Sequence, residues 1–154
     1  MSVRIRSALS VGATPAWSCT NCSEMTMDGV TITDTDHTGR FLAIDLYDIL
    51  DLLREETLRL DWRCKNVEAL GPKADELYRA CEQRNMISGR DLLAICDGIN
   101  QTIDGLFEAF EKGQESPVLI VRAVDGSAFD VESERKSLLD KVRRAFRKVA
   151  DLPQ

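Results

Sequence analysis

The sequence has little that catalysis usually needs: of its 154 residues a single one, His37, is histidine. A Ser-His-Asp or Cys-His site would therefore have to use His37, and the GxSxG elbow of many serine hydrolases is missing. The phosphate-binding Walker and GxGxxG sequences are missing as well. No apolar run reaches the roughly 18 residues that a membrane-spanning helix needs. We therefore lean against an enzyme and expect no membrane span.

The chain lacks an even set of cysteines: there are five, and they are scattered along the sequence. Three of the five cysteines stand beside apolar residues in helical patterns, where a reduced thiol is commonly buried as a small hydrophobe: Cys64, Cys81 and Cys96. We expect these three to form no disulfide, which indicates a reducing, cytoplasmic location. The N-terminus agrees, because Ser7, Ser10 and Gly12 interrupt the continuous apolar stretch that a signal peptide requires.

Cys19 and Cys22 form a CxxC pair, the strongest hint of a metal in the sequence. Two thiolates at this spacing can share one zinc ion, but a structural zinc site needs four ligands and no second CxxC exists. His37 and one carboxylate, from Asp34 or Asp36, are the candidates for the third and fourth ligands. No βαβ pattern surrounds the pair, as a redox motif would require. Two free thiols in a loop and no cofactor are the expectation, and zinc at Cys19, Cys22 and His37 is the alternative.

Residues 1–44 contain few helix formers and favour β-structure. Asp28-Gly29 is a two-residue turn signal, so a hairpin is predicted from Met25 to Thr33. Arg40 to Ile44 is predicted as another short strand. Asp34 and Asp36 lie between them and are spaced to share a hard cation, but a calcium loop needs further oxygen ligands. We expect a solvated turn there.

Residues 45–98 are predicted to form three helices. Asp45 is a good N-cap, and apolar residues then recur every three or four positions to Leu60 and less regularly to Leu70. Pro72 is suited to the first position of a second helix. Ser88 opens a capping-box-like start of a third helix, which is expected to end before a glycine at position 98.

Residues 101–132 are predicted to form a three-stranded antiparallel meander. Positions 102–110 fit a helix or a strand, and we favour a strand because Gly105 would cost a helix about 1 kcal/mol. The run 118–121 is mostly β-branched, and Asp125-Gly126 is a strong hairpin signal. We expect Ile120 to face the helices. An amphipathic C-terminal helix is predicted over 133–151, so the whole chain, 1–154, is expected to form a single α+β domain.

The charge is unevenly distributed. Between Ser133 and Ala150, seven lysines and arginines stand against two acidic residues, which gives +5. Because the whole chain carries −6, the remainder carries −11. Such a separation of charge can steer a charged partner. The acidic pI, about 4.9, argues against nucleic acid as that partner.

In size and charge the chain resembles bacterial immunity proteins, antitoxins and small inhibitors that block a basic active site. This resemblance implies a small protein-binding module whose partner is another protein with a basic surface. The alternative is a small metal-dependent regulator or enzyme built on the CxxC pair and the histidine. No catalytic residue is assigned. The first predicted helix carries the candidate contacts, carboxylates for steering and aromatic side chains for anchoring: Tyr47, Asp48, Asp51, Glu55 and Trp62.

Overall fold

The structure is a computed structural model that describes residues 27–83 and 85–153. Within these ranges the chain forms seven strands and five helices, so the mixed α+β class is confirmed. In chain order the elements are β1 (Asp28–Ile32), α1 (Leu46–Leu52), α2 (Arg54–Arg59), β2 (Asp61–Leu70), α3 (Ala74–Gln83), β3 (Ile87–Ser88), α4 (Gly89–Cys96), β4 (Gln101–Phe110), β5 (Leu119–Val124), β6 (Ala128–Ser133), α5 (Lys136–Ala145) and β7 (Val149–Asp151).

The seven strands form one antiparallel sheet in the order β3-β2-β4-β5-β6-β1-β7. The predicted strands of the meander are present as β4, β5 and β6, but they are the middle of this larger sheet and not a three-stranded unit. Asp125 and Gly126 connect β5 to β6 with φ angles of 55° and 70°. Positive φ at both positions is what a two-residue hairpin turn of matching twist requires.

The sheet has one face in the core and one face open. Cross-strand pairs align a continuous buried row over five strands, formed by Cys64, Phe107, Val121, Val131 and Val30. Four of the five helices contribute apolar side chains to this core. The exception is the short helix α2, whose buried residue is the polar Thr57. The adjacent row is half-exposed and mostly charged, so it forms the open face: Arg63, Glu108, Ile120 and Glu132.

The prediction that Ile120 faces the helices is therefore wrong. Burial in β5 alternates, with Leu119 and Val121 fully buried and Ile120 partly exposed on the open face. Because the side chains of a strand alternate in direction, an error of one residue exchanges the two faces. The apolar run of four residues concealed that alternation.

Residues 45–98 hold four helices and two strands, so the prediction of three helices is wrong in detail. The first helix breaks at Leu53, and α2 ends at Arg59, which agrees with the regular apolar pattern to Leu60 but not with its less regular continuation to Leu70. The following segment is strand β2, in which Trp62 and Cys64 are buried and their neighbours are not. The third predicted start is confirmed, because the Ser88 Oγ accepts a hydrogen bond of 3.1 Å from the backbone N–H of Asp91.

The predicted hairpin at Asp28-Gly29 is also wrong, since both residues lie inside the continuous strand β1. There they pair with Ser133 and Glu132 of β6. The predicted strand at 40–44 is reduced to one isolated bridge between Thr35 and Leu42. The remainder of the β-leaning segment, positions 1–26, lies outside the described residues.

The C-terminal helix is shorter at both ends than predicted. Its first three predicted residues complete β6 or precede α5, and its last residues form the edge strand β7, which pairs with β1. The early C-terminal end of α5 is explained by Asp34, which is only 8% exposed. Its carboxylate accepts hydrogen bonds from the backbone N–H groups of Arg147, at 2.8 Å, and Lys148, at 2.6 Å. These bonds hold the chain in the turn that ends α5.

The three cysteines with described positions, Cys64, Cys81 and Cys96, are free thiols. The helical position expected for all three is wrong for Cys64, which lies on strand β2, and Cys81 is only half-buried. In the part of the chain that the structure describes, no helix combines the length and the apolar character needed to cross a membrane.

Candidate protein-binding site

Two adjoining hollows of about 240 and 400 Å³ lie between the loop before α1 and the ends of α4 and β4. They share lining residues, among them Asp45, and we call the two together the acidic groove. Its lining includes three carboxylates and two aromatic side chains: Phe41, Asp45, Tyr47, Asp48 and Asp97. Among the residues that the structure describes, no lysine or arginine is part of that lining. The groove therefore offers negative charge together with apolar surface.

Asp45 forms the floor of the groove. Its two carboxylate oxygens accept hydrogen bonds from the Thr102 backbone N–H, at 2.7 Å, and from the Thr102 hydroxyl, at 3.0 Å. Burial raises the pKa of the Asp45 carboxyl above its usual range, although the bonds from Thr102 act in the opposite direction. This carboxyl joins the start of α1 to the start of β4, so its role is structural as well as electrostatic.

Asp48 and Asp97 are the exposed carboxylates of the groove. One oxygen of Asp48 accepts a hydrogen bond of 2.7 Å from the backbone N–H of Asp45, which caps α1. Asp97 follows the last residue of α4, where the helix dipole is negative and a carboxylate is unfavourable. Asp97 therefore does not stabilise its helix, and its charge adds to the negative potential at this end of the groove.

Phe41 lies at the rim of the groove with 60% of its surface exposed. The guanidinium of Arg40 lies 5.8 Å from the centroid of its ring. On the opposite side Tyr47 is half-buried and packs against the core while lining the groove. An exposed large aromatic side chain beside a concave surface is typical of a protein-binding site.

The structure brings only part of the sequence-predicted contact set together. Tyr47 and Asp48 line the acidic groove, whereas Asp51 and Glu55 are exposed farther along α1 and α2. Asp51 also forms an ion pair of 2.6 Å with Arg54, which partly neutralises it.

The expectation that Trp62 is an exposed contact residue disagrees with the structure. Trp62 is fully buried, and its indole N–H donates a hydrogen bond of 3.2 Å to the backbone oxygen of Thr57. It fills the junction between α2 and the sheet, so its side chain has no exposed surface to offer a partner.

Of the three residues of the alternative metal site, only His37 belongs to the part of the chain that the structure describes. His37 is exposed in the loop before α1, and Cys19 and Cys22 lie outside the described residues. The neighbouring carboxylates accept hydrogen bonds within the protein. Asp34 accepts those of Arg147 and Lys148, and Asp36 accepts bonds from the backbone N–H and the hydroxyl of Thr38. Among positions 27–83 and 85–153 there is no cluster of three or more His, Cys, Asp or Glu side chains that could hold a metal ion.

Two groove residues, Phe41 and Asp97, were missed by the sequence reasoning. Phe41 was counted as part of a short strand, and Asp97 as the end of a helix. For Asp97 the sequence does contain a signal. An acidic residue at a helix C-terminus interacts unfavourably with the helix dipole, which indicates a role other than stabilising the helix.

The chain matches no protein-family model, and no curated protein or solved structure is significantly similar to it.

Proposed function

We propose that this protein is a small acidic protein-binding module of the immunity or inhibitor type, which neutralises a partner by docking the acidic groove on its basic surface. The observation that supports the proposal most is the position of Phe41 at the rim of a concavity lined by Asp45, Asp48 and Asp97. The aromatic ring is the anchor and the carboxylates provide steering.

The basic C-terminal segment supports this orientation. Two of its arginines are engaged within the molecule, Arg143 with Asp140 and Asp151, and Arg135 with Glu56 and Glu111. Part of the +5 is thus neutralised inside the fold. Among the described residues no lysine or arginine lines the acidic groove, and Asp48 and Asp97 present exposed carboxylates there to lysines and arginines of a partner.

The experiment begins with affinity capture of the partner by the immobilised full-length chain, followed by binding kinetics with the purified partner. Steering by exposed charges is screened over about 8 Å at physiological ionic strength, so the association rate is expected to fall as salt rises. Asp97→Lys is expected to slow association about tenfold while leaving the melting temperature unchanged, since a cation is favourable at a helix C-terminus. Phe41→Ala is expected to raise Kd at least about tenfold, chiefly by faster dissociation.

Glu115→Lys is the matched control. It makes the same charge change in the exposed loop after β4, and the ten residues of that strand separate it from the groove by about 30 Å. If Asp97→Lys and Glu115→Lys change the association rate equally, the groove is not the docking surface. If the partner's activity persists at saturating amounts of this protein, binding is not neutralisation.

The second candidate function, a metal-dependent regulator or enzyme using Cys19, Cys22 and His37, has no specific observation in its favour. Elemental analysis of the purified chain decides it, since about one zinc ion per chain would be required.

A further inference from the structure

Cys64 of β2 and Cys81 of α3 both line a surface hollow of about 440 Å³. The two thiols are neighbours there, and each affects the pKa of the other. Cys64 is 5% exposed and Cys81 is half-buried, so Cys81 is the member that a small molecule in the hollow can reach.

The pair is held in place by Tyr78, which lies three residues before Cys81 on α3. Its hydroxyl accepts a bond of 2.9 Å from the Ala69 backbone N–H and donates one of 2.8 Å to the Ala69 backbone oxygen. These two bonds fix α3 against the edge of β2. Cys81, three residues after Tyr78, is consequently held at the hollow that Cys64 also lines, by a contact that does not depend on the sulfurs.

The two thiols differ in their readiness to ionise. The hydrogen bond from Cys64 lowers the pKa of Cys81, against burial and the charge of Glu82, which raise it. The same bond, together with burial, raises the pKa of Cys64. Thiolates and not thiols react as nucleophiles, so Cys81 is the reactive member.

We propose that Cys81 is a site of reversible oxidation by hydroperoxides, with Cys64 as the resolving thiol that closes a Cys64–Cys81 disulfide. In the first step the Cys81 thiolate attacks a peroxide oxygen; an S–O bond forms, the O–O bond breaks, and the alkoxide or hydroxide leaves and takes up a proton. Cys81 becomes a sulfenic acid as the peroxide is reduced. In the second step the Cys64 sulfur attacks the Cys81 sulfur, and water leaves with the Cys64 proton. A low-molecular-weight thiol restores both residues by exchange.

The test uses the full-length chain, reduced, freed of reductant and treated with a small excess of hydrogen peroxide. The protein is then denatured, alkylated and mapped by mass spectrometry of its peptides. We expect Cys64 and Cys81 to leave the alkylated pool together and to appear as one cross-linked peptide that a dithiol reductant separates. The buried Cys96 is the internal control and should stay fully alkylated.

Single variants separate the two roles. With Cys64→Ala, the sulfenic acid at Cys81 should persist and be trapped by dimedone, and with Cys81→Ala, Cys64 should remain reduced. A Cys19→Ser/Cys22→Ser variant should give the wild-type bridge. The proposal fails if Cys81 is oxidised no faster than Cys96, if wild-type Cys81 accumulates as trapped sulfenic acid without a bridge, or if it pairs with Cys19 or Cys22. The wild-type peptide map decides the matter even if an alanine variant does not fold.

Discussion

Asp34→Ala should be among the most destabilising single substitutions outside the apolar core. The carboxylate of Asp34 is almost fully buried and is the acceptor for two backbone N–H groups, those of Arg147 and Lys148. These bonds link the end of β1 to the turn between α5 and β7. The backbone N–H of Thr33 adds a bond of 2.9 Å to the Lys148 oxygen in the same place. Without the carboxylate, both donors of the turn lose their partner.

The magnitude follows from the type of bond. A hydrogen bond to a charged group contributes about 1.5–3 kcal/mol, and two are lost. Because the side chains of Arg147 and Lys148 are exposed, water can reach part of the turn, so we take the lower end, about 3 kcal/mol. For a chain of this length that lowers the melting temperature by about 6–12 °C. Asp34→Asn keeps one acceptor oxygen and should lose about half as much.

Urea unfolding followed by circular dichroism measures the change, with Asp36→Ala as the matched control. Asp36 belongs to the same loop, but its carboxylate bonds groups within its own exposed turn, chiefly Thr38, so its loss should be much smaller than that of Asp34. If the two alanine variants unfold at the same urea concentration, Asp34 does not anchor the α5–β7 turn and the explanation for the early end of α5 is incorrect.

Two further predictions concern the sheet and the groove. Val121→Thr should lower the free energy of unfolding by about 2 kcal/mol because it buries a hydroxyl, whereas Ile120→Thr on the open face should cost about 1 kcal/mol or less; equal losses in urea unfolding would contradict the assignment of faces. Thr102→Val should raise the pKa of Asp45 further above 3.8, because a bond to the carboxylate is removed. The pKa of Asp45 in the folded protein is raised, so its contribution to stability is full below pH 3.8 and is lost as pH rises through the folded pKa. A carbon-13 NMR titration measures this pKa, and a value at or below 3.8 in the wild-type protein would refute burial as the dominant influence on Asp45.

The sequence predicted the elements whose signals are local. Gly105 correctly favoured strand over helix in β4: its φ is 158°, and a Cβ there would lie 2.8 Å from the Phe107 ring. Asp125-Gly126 and Ser88 likewise act within two or three residues. Such signals predict the structure well because they depend on residues close together in sequence and not on distant contacts.

The elements that were mispredicted depend on distant partners. Around the start of β2, Leu60, Cys64 and Val67 stand at helical spacing, but the buried residues are Leu60, Trp62 and Cys64, at strand spacing. Pairing with β4 decides between the two patterns. Asp34 is separated by more than a hundred positions from the N–H groups it binds. In the candidate site, Tyr47 and Asp48 were found from their helix, whereas Phe41 and Asp97 come from a loop and a helix end that only the fold brings together.

The position of β1 in the sheet has a consequence for how the chain folds during synthesis. Both neighbours of β1, the strands β6 and β7, come from the last quarter of the sequence, with Val30 opposite Val131 and Asp151. A ribosome therefore releases β1 long before either strand that can pair with it exists. Contacts between such remote segments make folding slow, on the order of milliseconds to seconds. Until those strands are synthesised, the apolar side chains of Val30 and Ile32 lack their native strand neighbours, and this strand is open to chaperone binding.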